Sequence, residues 1–172
     1  PRPTEAKVGS TALACWVFPD KVITGNLGDT RAVLGGADGS ATRLSVDHRP
    51  LDDVREYERV LSLGGFVSES GRVNGILSVS RALGDFFLSP YVSDVPEINV
   101  HQLTDEDEFL ICGCDGVWDV VTDEKAVQIV SKSLFERLVF ILIIFLFFFS
   151  FLFLLFLLLF FFFFFSFFLL NI

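Results

Sequence analysis

Short apolar runs separated by turn residues dominate the first part of the chain and predict β-strands. Residues 9–18 and 21–29 each read as a strand, and Pro19 and Asp20 form the turn between them. Residues 31–45 continue as a hairpin, with the glycine-rich residues 35–39 as its loop. The chain therefore begins as a series of hairpin-connected strands.

A helical spacing of apolar residues follows Pro50. Asp52 and Asp53 favour the N-terminus of this helix, and the pair Gly64 and Gly65 ends it. The apolar positions at helical spacing are Val54, Tyr57, Val60 and Leu61.

The pattern then returns to strands before a second helix. Residues 66–85 alternate well enough for short strands, residues 97–103 predict another strand, and the run FLICGC (residues 109–114) predicts a continuous buried strand. Thr122 is expected to cap a helix. Its buried side is expected to carry Ala126, Val127 and Val130. Many strands with few helices favour an α+β sandwich over a doubly wound parallel sheet.

The last part of the chain, residues 138–172, is dominated by Phe and Leu and contains no charged residue. Its length is sufficient for a membrane anchor, since about 20 apolar residues span a bilayer. Its composition lacks the Ala, Gly, Trp and Tyr that are usual in natural spans. A translated pyrimidine tract is therefore the favoured interpretation, and a membrane anchor is the alternative.

The net charge of −9 belongs entirely to residues 2–137. This segment lacks the clustered Lys and Arg that neutralise phosphates, so nucleic-acid binding is not expected. If the protein handles phosphate, the positive charge has to come from elsewhere, and a metal ion is the obvious source.

Three cysteines, Cys15, Cys112 and Cys114, form an odd set without CxxC spacing. This pattern argues against a disulfide framework and against a zinc site, and it favours a reducing compartment. The N-terminus shows no initiator Met and no secretory signal, which indicates a fragment.

Two acidic stretches follow predicted strands and carry candidate metal ligands. Asp115 and Asp119 lie in CGCDGVWDVV, and Asp29 lies in NLGDTR. A carboxylate beside Gly at a strand end suits a hard divalent ion. Each aspartate also has an ordinary alternative, because Asp29 and Asp115 can close turns and Asp119 can lie at a helix N-terminus. Taken alone, each is more often structural.

Other polar residues have weaker cases for chemistry. His48 in VDHRP could act as an acid or base, although its place between a strand and a helix favours a structural role. Arg72 and Arg81 could hold phosphate or pair with carboxylates. The chain lacks the Cys and Arg spacing of a cysteine-dependent phosphatase, and it lacks phosphate-loop, HExxH and GxSxG motifs.

Seven blocks in order resemble the metal-dependent protein serine/threonine phosphatases of type 2C. The resemblance covers about residues 8–135. The blocks are GSTA, NLGDTRAVL, LSVDHRP, GGFV, GRVNGILSVSRALGD, PE and CDGVWDVV.

The resemblance implies an α+β fold in which a β-sandwich of two antiparallel sheets is flanked by helices, in α-β-β-α layers. It implies two core Mg²⁺ or Mn²⁺ ions, with a third as a weaker site, and phosphoserine and phosphothreonine proteins as substrates. By motif matching, Asp115 corresponds to a ligand of one core ion, and Asp29 and Asp119 correspond to ligands of the third site. A monomer in the cytoplasm or nucleus is expected, with membrane attachment only through residues 138–172.

Two blocks of the family pattern are missing, so the fold is expected to be incomplete at both ends. They are the upstream DGHGG block, with the aspartate that bridges both ions, and the closing Asp-Asn block. Residues 1–137 therefore read as a partial phosphatase domain, inactive by itself, in which no catalytic residue is retained. The alternative is a catalytically dead pseudophosphatase or binding module, tethered to a membrane if residues 138–172 are an anchor.

Overall fold

The computed structural model describes residues 7–136. Residues up to Ile129 form one compact unit, and a second unit begins at Val130. Of the second unit the structure describes only residues 130–136, which continue a helix. The predicted division at residue 137 and both interpretations of residues 138–172 lie outside the described residues.

One antiparallel sheet has the strand order β2-β3-β7. Its strands are β2 (Ala12–Val17), β3 (Lys21–Leu27) and β7 (Glu97–Gln102). The predicted turn at Pro19 and Asp20 is confirmed, because the Phe18 amide donates to the Lys21 carbonyl at 2.8 Å.

A second antiparallel sheet has the strand order β5-β4-β8. Its strands are β4 (Arg31–Gly36), β5 (Ala41–Arg43) and β8 (Asp107–Gly113). The prediction that residues 35–39 form the loop was wrong at its start, because Gly35 and Gly36 both belong to β4. A Cβ on Gly35 would lie 2.3 Å from the Phe109 ring, so the glycine makes room for the neighbouring strand.

The two sheets enclose an apolar core. It contains Val22 of β3, Ala32 and Leu34 of β4, and Leu44, all buried. These side chains join one sheet to the other, and the predicted α+β fold with antiparallel sheets is confirmed.

The prediction of a continuous buried strand at residues 109–114 was wrong in its degree of burial. Ile111 is buried, while Cys112 is exposed and the other residues are partly exposed. The reason is that β8 is an edge strand among the described residues, so one side of it lacks a neighbour.

The outer faces of the two sheets differ. Arg31 and Arg43, which share the outer face of the second sheet, form ion pairs with Asp123 at 2.6 and 2.7 Å. They attach Asp123, the first residue of helix α3 (Asp123–Glu136), to that face. On the first sheet, Trp16 of β2 is 52% exposed, and no described helix covers it.

Helix α3 begins as predicted. The Lys125 amide donates to the Thr122 hydroxyl at 3.2 Å, so Thr122 caps the helix. Of the residues predicted for its buried side, Ala126 and Val127 are buried and Val130 is partly exposed. Within residues 7–136, no helix combines the length and apolarity needed to cross a bilayer.

Residues 66–85 do not form the predicted series of strands. Isolated bridges join Val73 to Val67 and to Leu77, and the one regular strand is β6 (Leu83–Gly84), which pairs with β1 (Gly9–Ser10). Positive φ angles at Gly71, Asn74 and Gly75 turn the chain too often for extended pairing.

Helix α1 (Val54–Ser62) belongs to a second, smaller core. Asp53 caps it by accepting from the Arg55 amide at 3.0 Å, as its position before the apolar run predicted. This core is built from Val60, Val73, Ala82, Leu88 and Val92.

A buried carboxylate on α1 holds this second core to its neighbours. Glu56 is 2% exposed and accepts hydrogen bonds from Ser80 at 2.5 Å, from Arg59 at 2.8 Å and from Arg81 at 2.7 Å. Arg59 also donates to the Ser80 and Tyr91 carbonyls. One side chain thus connects α1 to the segment that follows it.

Two opposing effects act on the pKa of Glu56. Burial alone would raise it, but hydrogen bonds from Arg81, Arg59 and Ser80 outweigh burial and lower the pKa from 4.5 to about 2. The ionised form is therefore favoured in the folded chain. Its contribution to stability is fully present above pH 4.5 and is lost as the pH falls towards 2.

Glu56→Gln is expected to reduce the free energy of unfolding by about 3 kcal/mol at neutral pH, because an amide leaves two guanidinium groups without a buried anion. The difference from the parent chain should shrink below pH 4.5, where Glu56 is protonated in the unfolded state. Urea unfolding of both chains from neutral to about pH 3 measures it. A pH-independent difference would contradict the prediction.

Candidate functional site

The three predicted ligands lie near one end of the second sheet, where β4 begins and β8 stops. Arg31 of β4 pairs with Gly113 of β8 in an antiparallel register. Asp29 precedes Arg31 by two residues, and Asp115 follows Gly113 by two residues. Both therefore lie beyond the same end of the second sheet.

Asp115 and Asp119 bracket a very short helix, α2 (Asp115–Trp118). Trp118 is buried, and its indole Nε1 donates to the Gly113 carbonyl at 2.8 Å, which folds α2 back onto the end of β8. The suggestion that Asp119 lies at a helix N-terminus was wrong. It is the C-cap of α2, because this helix has only four residues and starts at Asp115.

Asp29 and Asp119 are joined by one guanidinium group. Arg49 donates from Nε to Asp29 at 2.7 Å and from one terminal nitrogen to Asp119 at 2.8 Å. Asp29 is buried, whereas the Asp119 side chain is 53% exposed. Burial opposes ionisation of Arg49, but the hydrogen bonds to both carboxylates outweigh it and raise the pKa of Arg49.

Asp115 does not join this ion pair. Its side chain is exposed and makes no hydrogen bond or ion pair with any residue in the described range 7–136. The structure thus brings Asp29 and Asp119 together and leaves Asp115 apart on the same edge. Arg49 was not predicted as a site residue, although it directly follows His48 in the VDHRP motif.

Carboxylate oxygens are suitable ligands for Mg²⁺ or Mn²⁺, and the exposed Asp115 is available to a cation. Within residues 7–136, however, no three His, Cys, Asp or Glu side chains come together as a group that could hold a metal ion. The described residues therefore supply separate carboxylates and do not by themselves fit a two-ion centre.

A family model for protein phosphatase 2C matches residues 2–138. The chain belongs to the protein phosphatase 2C family. It is 48% identical over 129 residues to Protein phosphatase 2C 3 of Arabidopsis thaliana, covering 74% of this chain and 29% of the relative. It is 47% identical over 133 residues to Probable protein phosphatase 2C 2 of Oryza sativa subsp. japonica, covering 73% and 34%. The chain spans about a third of the length of these relatives.

Solved structures agree with the family assignment. A serine-threonine phosphatase 2C from Toxoplasma gondii superimposes with a TM-score of 0.65 and 28% identity, covering 74% of this chain and 48% of that one. A sex determining protein from C. elegans superimposes with a TM-score of 0.66 and 31% identity, covering 71% and 31%. The predicted family is confirmed.

His48, one of two histidines in this protein phosphatase 2C chain, has structural contacts. His48 is fully buried, and its Nδ1 accepts from the Gly28 amide at 3.1 Å. The proton then lies on Nε2, which donates to Glu97 at 3.2 Å. Burial, aided by the charge of Arg81, lowers the pKa of His48, so the ring stays neutral at pH 7.

Arg31, the first residue of β4, holds in place the end of the strand next to Asp29. Its guanidinium group binds Asp47 through two nitrogens, binds Asp123 at 2.6 Å, and lies 5.2 Å from the centre of the Trp118 ring. It therefore links the loop before α1, the start of α3 and the helix that begins with Asp115.

The pair of aspartates bound to Arg49 is expected to respond unequally to truncation. Asp29→Ala should cost about 2 kcal/mol of unfolding free energy, because it removes a buried ion pair. Asp119→Ala should cost less than about 1 kcal/mol, because exposed ion pairs contribute little. Urea unfolding of the two variants measures the difference, and equal losses would contradict the assigned burial.

Proposed function

We propose that this chain is part of a metal-dependent phosphatase that acts on phosphoserine and phosphothreonine proteins. One observation carries the proposal: Asp29 and Asp115, which the family pattern assigns to metal binding, project from the paired ends of β4 and β8. Two acidic motifs that are far apart in the chain therefore lie at the same end of the second sheet. Membership of the protein phosphatase 2C family supports the same chemistry.

Mg²⁺ or Mn²⁺ would be held by Asp115 as a core ligand, with Asp29 and Asp119 at an outer site. When bound, such ions supply the positive charge and the activated water that phosphoryl hydrolysis needs. A cation shared by Asp29 and Asp119 has to compete with Arg49, which binds both carboxylates. The outer site is therefore expected to be weaker than the core site.

The isolated chain is expected to be inactive, because the remaining core ligands have to come from outside residues 7–136. A binding module on the phosphatase fold is the second candidate. The observation that favours it is the lack of a three-ligand metal cluster within the described residues. The two candidates differ in whether the fold hydrolyses phosphate once those ligands are supplied.

A chimera tests the first candidate directly. Residues 7–136 replace the matching residues of Protein phosphatase 2C 3 from Arabidopsis thaliana, which supplies the rest of the domain. We expect Mn²⁺-dependent hydrolysis of a phosphothreonine peptide, and Asp115→Asn should lower its rate by more than about 100-fold. A steady-state assay with and without chelator measures both effects.

Asp52→Asn is the matched control, because Asp52 is an exposed acidic residue outside the site. It should leave the rate unchanged. A folded chimera without activity would favour the binding module. Full activity in Asp115→Asn would remove Asp115 from the metal site, and hydrolysis by the isolated 172-residue chain would refute its expected inactivity.

A further inference from the structure

Two cysteines that are 97 positions apart in the chain meet across the sandwich. The sulfur atoms of Cys15 and Cys112 lie 3.6 Å apart. Cys15 belongs to β2 of the first sheet, and Cys112 belongs to β8 of the second. The contact therefore joins one sheet to the other.

The register of both sheets explains why these thiols face each other. Cys15 pairs with Thr24, and Cys112 pairs with Ala32. Both cross-strand partners are buried between the sheets, and paired residues lie on the same face. Cys15 itself packs against the core cluster that contains Ala32. The two side chains thus point inward from facing strands.

The position of the pair at the rim makes it reachable. Cys112 is exposed and Cys15 is partly exposed. Among the described residues, β2 and β8 each pair with a neighbour on one side only. An edge strand can shift more easily than a central one, and the sulfur atoms have to approach by about 1.5 Å to reach disulfide bonding distance.

The electrostatics of the pair favour reaction at one sulfur. A hydrogen bond from Cys112 outweighs burial and lowers the pKa of Cys15, while the same hydrogen bond and burial raise the pKa of Cys112. Thiolate character increases nucleophilicity, so Cys15 is the first to react and Cys112 is the resolving thiol.

We infer that Cys15 and Cys112 are a redox couple, and that a peroxide oxidises them to a reversible disulfide that fastens the two sheets together. The Cys15 thiolate attacks one peroxide oxygen, the O–O bond breaks, and Cys15 becomes a sulfenic acid as the other oxygen leaves and is protonated. Cys112 then attacks the Cys15 sulfur, the S–O bond breaks, and a second water leaves with the Cys112 proton. With hydrogen peroxide, two thiols lose two electrons and two protons and two waters form.

This couple goes beyond the proposed phosphatase function and does not depend on it. Cys112 lies three residues before Asp115, with Gly113 bound to Trp118 between them. Oxidation would therefore anchor the strand that carries the predicted metal ligand to the opposite sheet.

The full 172-residue chain, purified in mild detergent because of residues 138–172, is treated with hydrogen peroxide and digested without reduction. We expect a Cys15–Cys112 cross-linked peptide that has lost two hydrogen atoms and that dithiothreitol reverses. Cys114→Ser is the matched control and should keep the cross-link, while Cys15→Ser should lose it.

Oxidation in concentrated urea tests whether formation of the Cys15–Cys112 bond depends on the folded structure. The unfolded chain should not favour the Cys15–Cys112 bond, because its ends are 97 residues apart. The folded chain should give mainly this bond and a higher urea midpoint after oxidation. Equal distributions in the two conditions, a dominant Cys112–Cys114 bond, or oxidation without a cross-link would overturn the inference.

Discussion

Arginine pairing accompanies four buried carboxylates of the described residues, namely Asp29, Asp47, Asp53 and Glu56. The chain has 22 acidic and 13 basic residues, so positive charges are scarce, and the structure uses several of them twice. Arg31 binds Asp47 and Asp123, and Arg49 binds Asp29 and Asp119. At Glu56 the situation is the opposite, because one carboxylate binds two arginines, Arg59 and Arg81. Because desolvation penalises an unpaired charge by several kcal/mol, these pairs dictate which loops lie together.

The candidate site follows from the same constraint and from strand register. Pairing of β4 with β8 brings two acidic motifs to the same end of the sheet. The contact between Arg31 and Trp118 stabilises that end. The three carboxylates differ in their partners. Arg49 binds Asp29 and Asp119, whereas Asp115 is exposed. The shared arginine also keeps two like charges close together.

Open strand edges and one exposed face also characterise the two sheets among the described residues. Both β2 and β8 have one unpaired side among the described residues, and the outer face of the first sheet carries exposed apolar residues such as Trp16, Ile98 and Val100. The same edges bring Cys15 and Cys112 together at the rim, where an oxidant can reach them.

Local pattern was sufficient for much of the fold, for a physical reason. Turns, caps and apolar spacing depend on neighbouring residues, so the Pro19 turn, the Asp53 and Thr122 caps and the family motifs could be read directly. Burial of β8, the irregular path of residues 66–85 and the place of Asp119 depended on distant partners. The sequence by itself determined the family and the candidate ligands. Only the tertiary structure decided that Arg49 joins Asp29 to Asp119 and that Cys15 meets Cys112, because strand register brings together residues that are far apart in the chain.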